Sequence, residues 1–155
     1  MTDDIRTTAE AVEASAMPRC AEVHAEPGTQ TIEQGSLPEA VSGKPVEQKS
    51  AAEWAYQRLI LYIKNFEQAL DDRHEIAMGF TDTGAGILRI EGLGYFDPDI
   101  VTFYGTDQMG TRVQLVQHVS QLNVLLRATP KASEAEEPRR IGFELAKALG
   151  EAEAD

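Results

Sequence analysis

The sequence predicts a single α+β domain: a long N-terminal helix packed on a four-stranded antiparallel meander, followed by a second helix and a short C-terminal element. The length of 155 residues suffices for one domain with a core and leaves little room for another. A strongly apolar run with helical spacing opens after Ser50, and beyond Asp72 the spacing changes from 3.6 to 2. We therefore expect one α+β domain over 51–149 and a frayed acidic end at 150–155.

Residues 1–50 are predicted to form a disordered acidic tail. They contain no Phe, Trp or Tyr, hold four of the seven prolines, and carry nine acidic against four basic side chains. Such a segment buries too little apolar area to offset the entropy cost of ordering it. A transient or partner-induced helix over 9–16 is the alternative. Cys20, the single cysteine, lies in this tail, so an internal disulfide is excluded.

The first helix is predicted to begin after Ser50 and to run for about twenty residues, because Ser50 and Glu53 match a capping box. One apolar stripe follows at three- and four-residue spacing, made of Tyr56, Leu59, Ile60, Ile63, Phe66 and Leu70. Off this stripe lie Trp54, Leu61 and Tyr62. A helix with a second apolar face buries that face as well, either in a larger core or against another subunit. Little chain is left to cover it, so we expect a subunit interface.

Four strands are predicted after this helix, because apolar and polar residues alternate and turn residues separate the runs. The runs are HEIAMGF, ILRIEGLGYF, IVTFYG and TRVQLV. Short turns join them, which is typical of an antiparallel meander. Gly92 and Gly94 in the second run indicate a bulge or a close approach of another chain segment.

A second helix is predicted from Gln117 through QHVSQLNVLLRA, ending before Pro130. Its apolar stripe comprises Val119, Leu122, Leu125 and Leu126. An acidic linker, PKASEAEE, follows.

The last segment fits two patterns. Its residues Ile141, Phe143 and Leu145 alternate as in a strand, whereas Ile141, Leu145 and Leu149 have the spacing of a helix. Only partial order around 139–149 is expected.

Composition and charge exclude several function classes. No apolar run approaches the ~18 residues of a membrane span, and the N-terminus lacks the features of a signal peptide, so a cytoplasmic protein is expected. The excess of 26 Asp and Glu over 14 Lys and Arg argues against long nucleic acid as a partner. His24, His74 and His118 form no cluster at zinc spacing, and DPDIVT lacks the glycine of a calcium loop. Neither a metal nor a cofactor is expected.

Candidate site chemistry is concentrated in two short stretches. His118 has no nucleophile or orienting carboxylate nearby in sequence, so a hydrogen-bonding role is favoured over general base catalysis, with a ligand contact as the alternative. Arg139 and Arg140 are the only contiguous Lys or Arg pair. Two guanidinium groups can hold a diphosphate by forked hydrogen bonds. A solvated pair offset by neighbouring glutamates is the alternative.

The chain contains the stretches AEWAYQRLILYIKNFEQALDDRHEIAMGF, YFDPDIVTFYG, LVQHVSQLNVLL and RRIGF. In their order they resemble a bacterial and phage family of unknown function, which in turn is similar to the first type of Thoeris anti-defence sponges. The resemblance covers about residues 51–145. It implies a small α+β protomer, assembled as dimers or higher oligomers, that binds cyclised ADP-ribose isomers or cyclic oligonucleotides between subunits without cleaving them.

We therefore expect a non-enzymatic binding protein that sequesters a small cyclic nucleotide immune signal and so counters antiphage defence. The residues expected to contact the ligand are Gln117, His118, Gln121, Asn123, Arg139, Arg140 and Phe143. Binding without turnover needs shape, stacking and charge-assisted bonds, for which candidates exist. The alternative is a structural or regulatory module that oligomerises through the first helix and binds a protein partner. An enzyme acting on nucleotides ranks third.

Overall fold

A computed structural model describes residues 48–80, 86–147 and 149, together with residues 24, 25, 38, 41 and 43. This part of the chain has the expected α+β architecture, with two helices and one five-stranded antiparallel sheet. The helices are α1 (Ala51–Gln68) and α2 (Gly142–Lys147). The strands are β1 (His74–Phe80), β2 (Ile87–Phe96), β3 (Ile100–Thr106), β4 (Arg112–His118) and β5 (Val124–Pro130), in the spatial order β4-β3-β2-β1-β5.

Helix α1 begins where the sequence predicts and is slightly shorter than expected, at 18 residues. The Ser50 hydroxyl accepts a hydrogen bond from the Glu53 N–H at 3.0 Å, which satisfies one of the free donors of the first turn. One face of α1 packs on the sheet and contributes Ala52 and Ile63 to the main core. That core also contains Phe80 and Phe103, whose rings meet edge to face with centroids 4.8 Å apart.

Two of the three residues on the second apolar face of α1, Trp54 and Leu61, are buried within the chain, whereas Tyr62 is 43% exposed. Trp54 and Leu61 form a smaller core cluster with Val41 and with Ala146 and Leu149. Because α2 and its flanking residues cover Trp54 and Leu61, these two side chains need no second subunit to remove them from water. Tyr62 is accessible, so the subunit interface expected on α1 stays a prediction.

The predicted meander is confirmed as β1 to β4, joined by antiparallel pairing from β1 through β4. The register of β2 against β3 shifts between Ile90 and Gly92, so Gly92 adjoins a bulge. Gly94 is instead a place of close approach, because a Cβ there would lie 2.8 Å from Thr102 Oγ1. The turn predicted at TDTGAG includes residues 81–85, which lie outside the described residues.

The predicted second helix is wrong, and a fifth strand stands in its place. Strand β4 continues to His118, one 3-10 turn spans Val119–Gln121, and β5 follows. All seven residues of β5 pair with β1, from His74 opposite Pro130 to Phe80 opposite Val124. Strand β5 forms because its main-chain groups pair with the free side of β1. The residues near β5 in the sequence do not indicate this pairing, since β1 is distant in the chain.

The ambiguous C-terminal segment forms a helix, α2, of six residues. Ile141, Ala146 and Leu149 are buried, whereas Phe143 is exposed. Helical spacing therefore decides which side chains of this segment face the core.

The predicted tail falls mostly on residues outside the described part of the chain, as does the predicted frayed end at 150–155. Three described residues before Ser50 are buried: Pro38, Val41 and Lys49. The Lys49 ammonium donates hydrogen bonds to the Val41 carbonyl and, at 2.7 Å, to Gln57 Oε1. It also lies 3.9 Å from the centre of the Trp54 ring. Val41 and Lys49 therefore pack with the domain.

Candidate functional site

The structure places the predicted site residues in two separate groups. Gln117, His118, Gln121 and Asn123 lie where β4 leads into β5. This region adjoins the first turn of α1, where the Ala52 N–H donates to the Pro98 carbonyl at 3.1 Å.

The second group, Arg139, Arg140 and Phe143, adjoins the last turn of α1. There the Ile141 N–H donates to the Glu67 carboxylate at 2.9 Å. At 1.5 Å per residue, Ala52 and Glu67 lie about 22 Å apart along the helix. One subunit therefore does not bring the two groups together around a small ligand.

The arginine pair holds the C-terminal segment on the domain. The Arg139 guanidinium donates to the Ile90 carbonyl at 2.8 Å, and the Arg140 guanidinium donates to the carbonyls of His74 at 2.7 Å and Asp71 at 2.9 Å. Both side chains are half-buried. Donors engaged in this way satisfy main-chain acceptors, so these arginines have a structural role that the sequence did not indicate.

Two buried carboxylates complete this attachment, and sequence reasoning missed both. The Glu75 carboxylate accepts a hydrogen bond from the Arg139 N–H at 2.6 Å. It also forms an ion pair with the Arg89 guanidinium at 3.0 Å. Glu67 accepts hydrogen bonds from the N–H groups of Ile141 and Gly142 at 2.9 and 2.6 Å. The available signal was that Glu67 continues the three- and four-residue spacing of the buried stripe of α1.

A cleft of about 570 Å³ borders Arg140. Its lining residues are Asp72, Lys131, Glu134, Ala135, Glu136, Glu137, Pro138 and Arg140. Carboxylates outnumber cations there, so the local field disfavours an anionic ligand. At its edge, the pKa of Asp71 is held below its ordinary value by a hydrogen bond with His74 and a second from the Arg73 N–H.

His118 has the orienting carboxylate that sequence reasoning did not find. Its Nε2 lies 3.0 Å from Asp99 Oδ2, and its Nδ1 lies 2.8 Å from Ser120 Oγ. The Ser120 N–H also donates to Nδ1 at 3.1 Å, so Nδ1 is the acceptor and Nε2–H donates to Asp99. Both ring nitrogens of His118 are therefore hydrogen-bonded, and the imidazole is fixed in orientation at the surface.

Gln117 is buried beside this cluster, with 7% of its surface exposed. It lies opposite Val101 in the ladder, on the sheet face that packs against α1. Its Oε1 has no hydrogen-bond partner among the described residues. Gln121 and Asn123 are exposed.

The opposite sheet face, here called the outer face, carries exposed aromatic and apolar side chains. It is formed by Ile100, Thr102 and Tyr104 of β3 and their partners in β2 and β4. Phe96, Ile100 and His118 form one row across three strands, and Phe96 is 75% exposed. A phenyl ring and an oriented imidazole about 10 Å apart can contact the face and the edge of one planar ligand.

Two exclusions concern the described residues alone. No helix among them is long and apolar enough to cross a membrane. No three of their His, Cys, Asp and Glu side chains lie close enough to hold a metal ion.

Comparison with known proteins gives a family and no function. A family model described as "Family of unknown function (DUF6173)" matches residues 44–144, which is more than half of the chain. No curated protein and no solved structure matches the chain. The match covers all four stretches on which the resemblance rests, but it provides no link to the Thoeris sponges. The chain therefore belongs to the DUF6173 family of unknown function.

Proposed function

We propose that the protein is a non-enzymatic binding protein that sequesters a small cyclic nucleotide, a cyclic ADP-ribose isomer or a cyclic oligonucleotide, and thereby counters antiphage defence. The observation that carries the proposal is the row of Phe96, Ile100 and His118 on the outer face. A base stacks on the exposed phenyl ring, because every base has a π-face that an aromatic side chain can cover. Ser120, which is hydrogen-bonded to His118, and Gln121, which follows it in the chain, supply hydrogen bonds to the sugar or base.

The phosphates of the ligand need cations that this row lacks. Asp97 and Asp99 flank it, and the chain has a formal net charge of -12. Arg139 and Arg140 lie at the far end of α1, about 22 Å away by its rise per residue. A ligand that contacts both groups must therefore lie where two subunits meet, which agrees with the arrangement that the resemblance implies.

Turnover is not part of the proposal, although Asp99, His118 and Ser120 are linked by hydrogen bonds. The hydroxyl and the main-chain N–H of Ser120 both lie within hydrogen-bond distance of His118 Nδ1. This arrangement is typical of a local turn. A hydrolase would also need donors for the developing oxyanion. Recovery of intact ligand distinguishes sequestration from catalysis.

Binding is tested by thermal shift and calorimetry with cyclic ADP-ribose isomers and cyclic dinucleotides, followed by mass analysis of the ligand. We expect stabilisation of the protein and recovery of unchanged ligand. Phe96→Ala should weaken binding by about 1–3 kcal/mol, the usual contribution of one base–aromatic stack. Tyr104→Ala is the control, because Tyr104 is exposed on the same face but outside the row. Equal losses in both variants would contradict the proposed site.

A second function, a structural or regulatory module that binds a protein partner, is favoured by a different observation. Tyr104 and Val116 are also exposed on the outer face, and together with Phe96 they form an apolar surface. Such surfaces are typical of protein interaction sites. The absence of any thermal shift with the nucleotides would favour this function over sequestration.

A further inference from the structure

Among the residues that the structure describes, strand β4 is an open sheet edge that lacks proline, lysine and a bulge, with Arg112 at its start as its one charged side chain of the Lys or Arg type. It is the first strand in the order β4-β3-β2-β1-β5, so one of its sides has no partner strand among the described residues. Its seven residues, RVQLVQH, include no proline and no lysine, and its pairing with β3 shows no register shift. Natural edge strands commonly carry one of these features to prevent pairing with another chain. The other edge, β5, has Arg127 near its middle and ends at Pro130.

The hydrogen-bond pattern identifies which groups of β4 are free to pair. The Val119 N–H donates to the Asp99 carbonyl at 2.8 Å in line with the β3–β4 ladder. Because antiparallel bonding alternates along a strand, the odd-numbered residues of β4 bond to β3. The main-chain groups of Arg112, Gln114, Val116 and His118 therefore point to the open edge.

The charge of β4 also suits self-association. The chain has a formal net charge of -12, so two copies repel each other over most of their surfaces. Strand β4 carries no Asp or Glu and has Arg112 at its start. The guanidinium of Arg112 makes no salt bridge with any residue that the structure describes.

We propose that β4 pairs antiparallel with β4 of a second copy of this chain, about a two-fold axis at Leu115, so that two sheets join into one. In this register Gln114 lies opposite Val116 of the second copy, and both present free main-chain groups. Arg112 lies opposite His118 of the second copy. The Nε2 atom of that imidazole is hydrogen-bonded to Asp99 Oδ2 of the same copy at 3.0 Å. The Asp99 carboxylate of the second copy lies one strand spacing beyond that imidazole, about 10 Å from Arg112, which is close enough for attraction between the charges. The pairing requires no nucleotide and is independent of the proposed function.

The interface is tested by sedimentation of the full chain over a range of concentrations. Val116 and Leu125 are 58% and 56% exposed on the two edge strands, so lysine at either position places a similar charge at a similar surface. The parent chain should dimerise, Val116→Lys should weaken dimerisation at least about tenfold, and Leu125→Lys should leave it unchanged. A monomeric parent chain, or loss of the dimer with Leu125→Lys alone, would overturn the proposal.

Cross-linking tests the register in a Cys20→Ser background. Residues paired across antiparallel strands have Cα atoms about 5.5 Å apart, within the range that a disulfide spans. A mixture of the Gln114→Cys and Val116→Cys chains should therefore form a linked heterodimer under oxidation. Equal or greater linking of Gln114→Cys with itself would overturn the two-fold axis at Leu115.

Discussion

At the scale of single residues, the C-terminal segment is attached by charged groups that bind main-chain atoms. Glu67 and Glu75 accept from the N–H groups of Arg139, Ile141 and Gly142. A Cβ atom at Gly142 would lie 2.7 Å from Glu67 Oε1 and 2.8 Å from Lys64 Cα, so glycine is needed for this close approach. The arginines complete the attachment, and alanine at these positions would disturb the fold as well as any ligand contact.

Glu67→Ala should destabilise the domain by at least about 2 kcal/mol, because it leaves two buried N–H groups without acceptors at roughly 1–3 kcal/mol each. Gln68→Ala is the matched control, since Gln68 is the exposed neighbour on the same helix. Urea denaturation measures both variants. Equal stability of the two variants would show that Glu67 does not hold the C-terminal segment.

At the scale of elements, β5 shows how a helical pattern can belong to a strand. Leu122, Val124 and Leu126 alternate toward the core, whereas Leu125 is exposed. The predicted stripe combined Leu122 and Leu126, which are four residues apart, with Leu125 between them. A separation of four residues satisfies both periods, so the sequence alone does not separate them.

The two periods differ in what they require of neighbouring leucines. In a strand Leu126 faces the core and Leu125 faces solvent, whereas the predicted helix put both on one stripe. Leu126→Ala should therefore destabilise the domain by about 2 kcal/mol, and Leu125→Ala by no more than about 0.5 kcal/mol. Similar losses in thermal or urea denaturation would contradict β5.

At the scale of the whole molecule, the formal net charge of -12 opposes both compaction and self-association. Two of the carboxylates, Glu67 and Glu75, are buried and hydrogen-bonded. Most of the remaining acidic residues that the structure describes are exposed. Their mutual repulsion depends on ionic strength.

Raising the ionic strength from about 0.01 M to 0.15 M should increase the Tm, because the Debye length falls from roughly 30 to 8 Å. Scanning calorimetry at several protein concentrations separates this effect from dimerisation, which makes the Tm depend on concentration. Neutral sucrose serves as the control for changes in solvent that involve no charge. A Tm that falls with salt would show that attractive ion pairs outweigh the repulsion.

The sequence by itself determined the features that a few neighbouring residues encode. Ser50 and Glu53 mark the start of α1, alternation marks β1 to β4, and Gly92 marks the bulge of β2. Each depends on contacts within one turn or between successive strands, so a local pattern is sufficient.

Only the tertiary structure decided the fifth strand and the surroundings of the candidate site residues. His118 meets Asp99 across 19 positions of sequence, and Glu67 meets Gly142 across 75. The role of Arg139 likewise depends on Glu75 and the Ile90 carbonyl, 64 and 49 positions away. A residue's own neighbours in sequence carry no record of such partners, because the partners become close only when the sheet and helices pack.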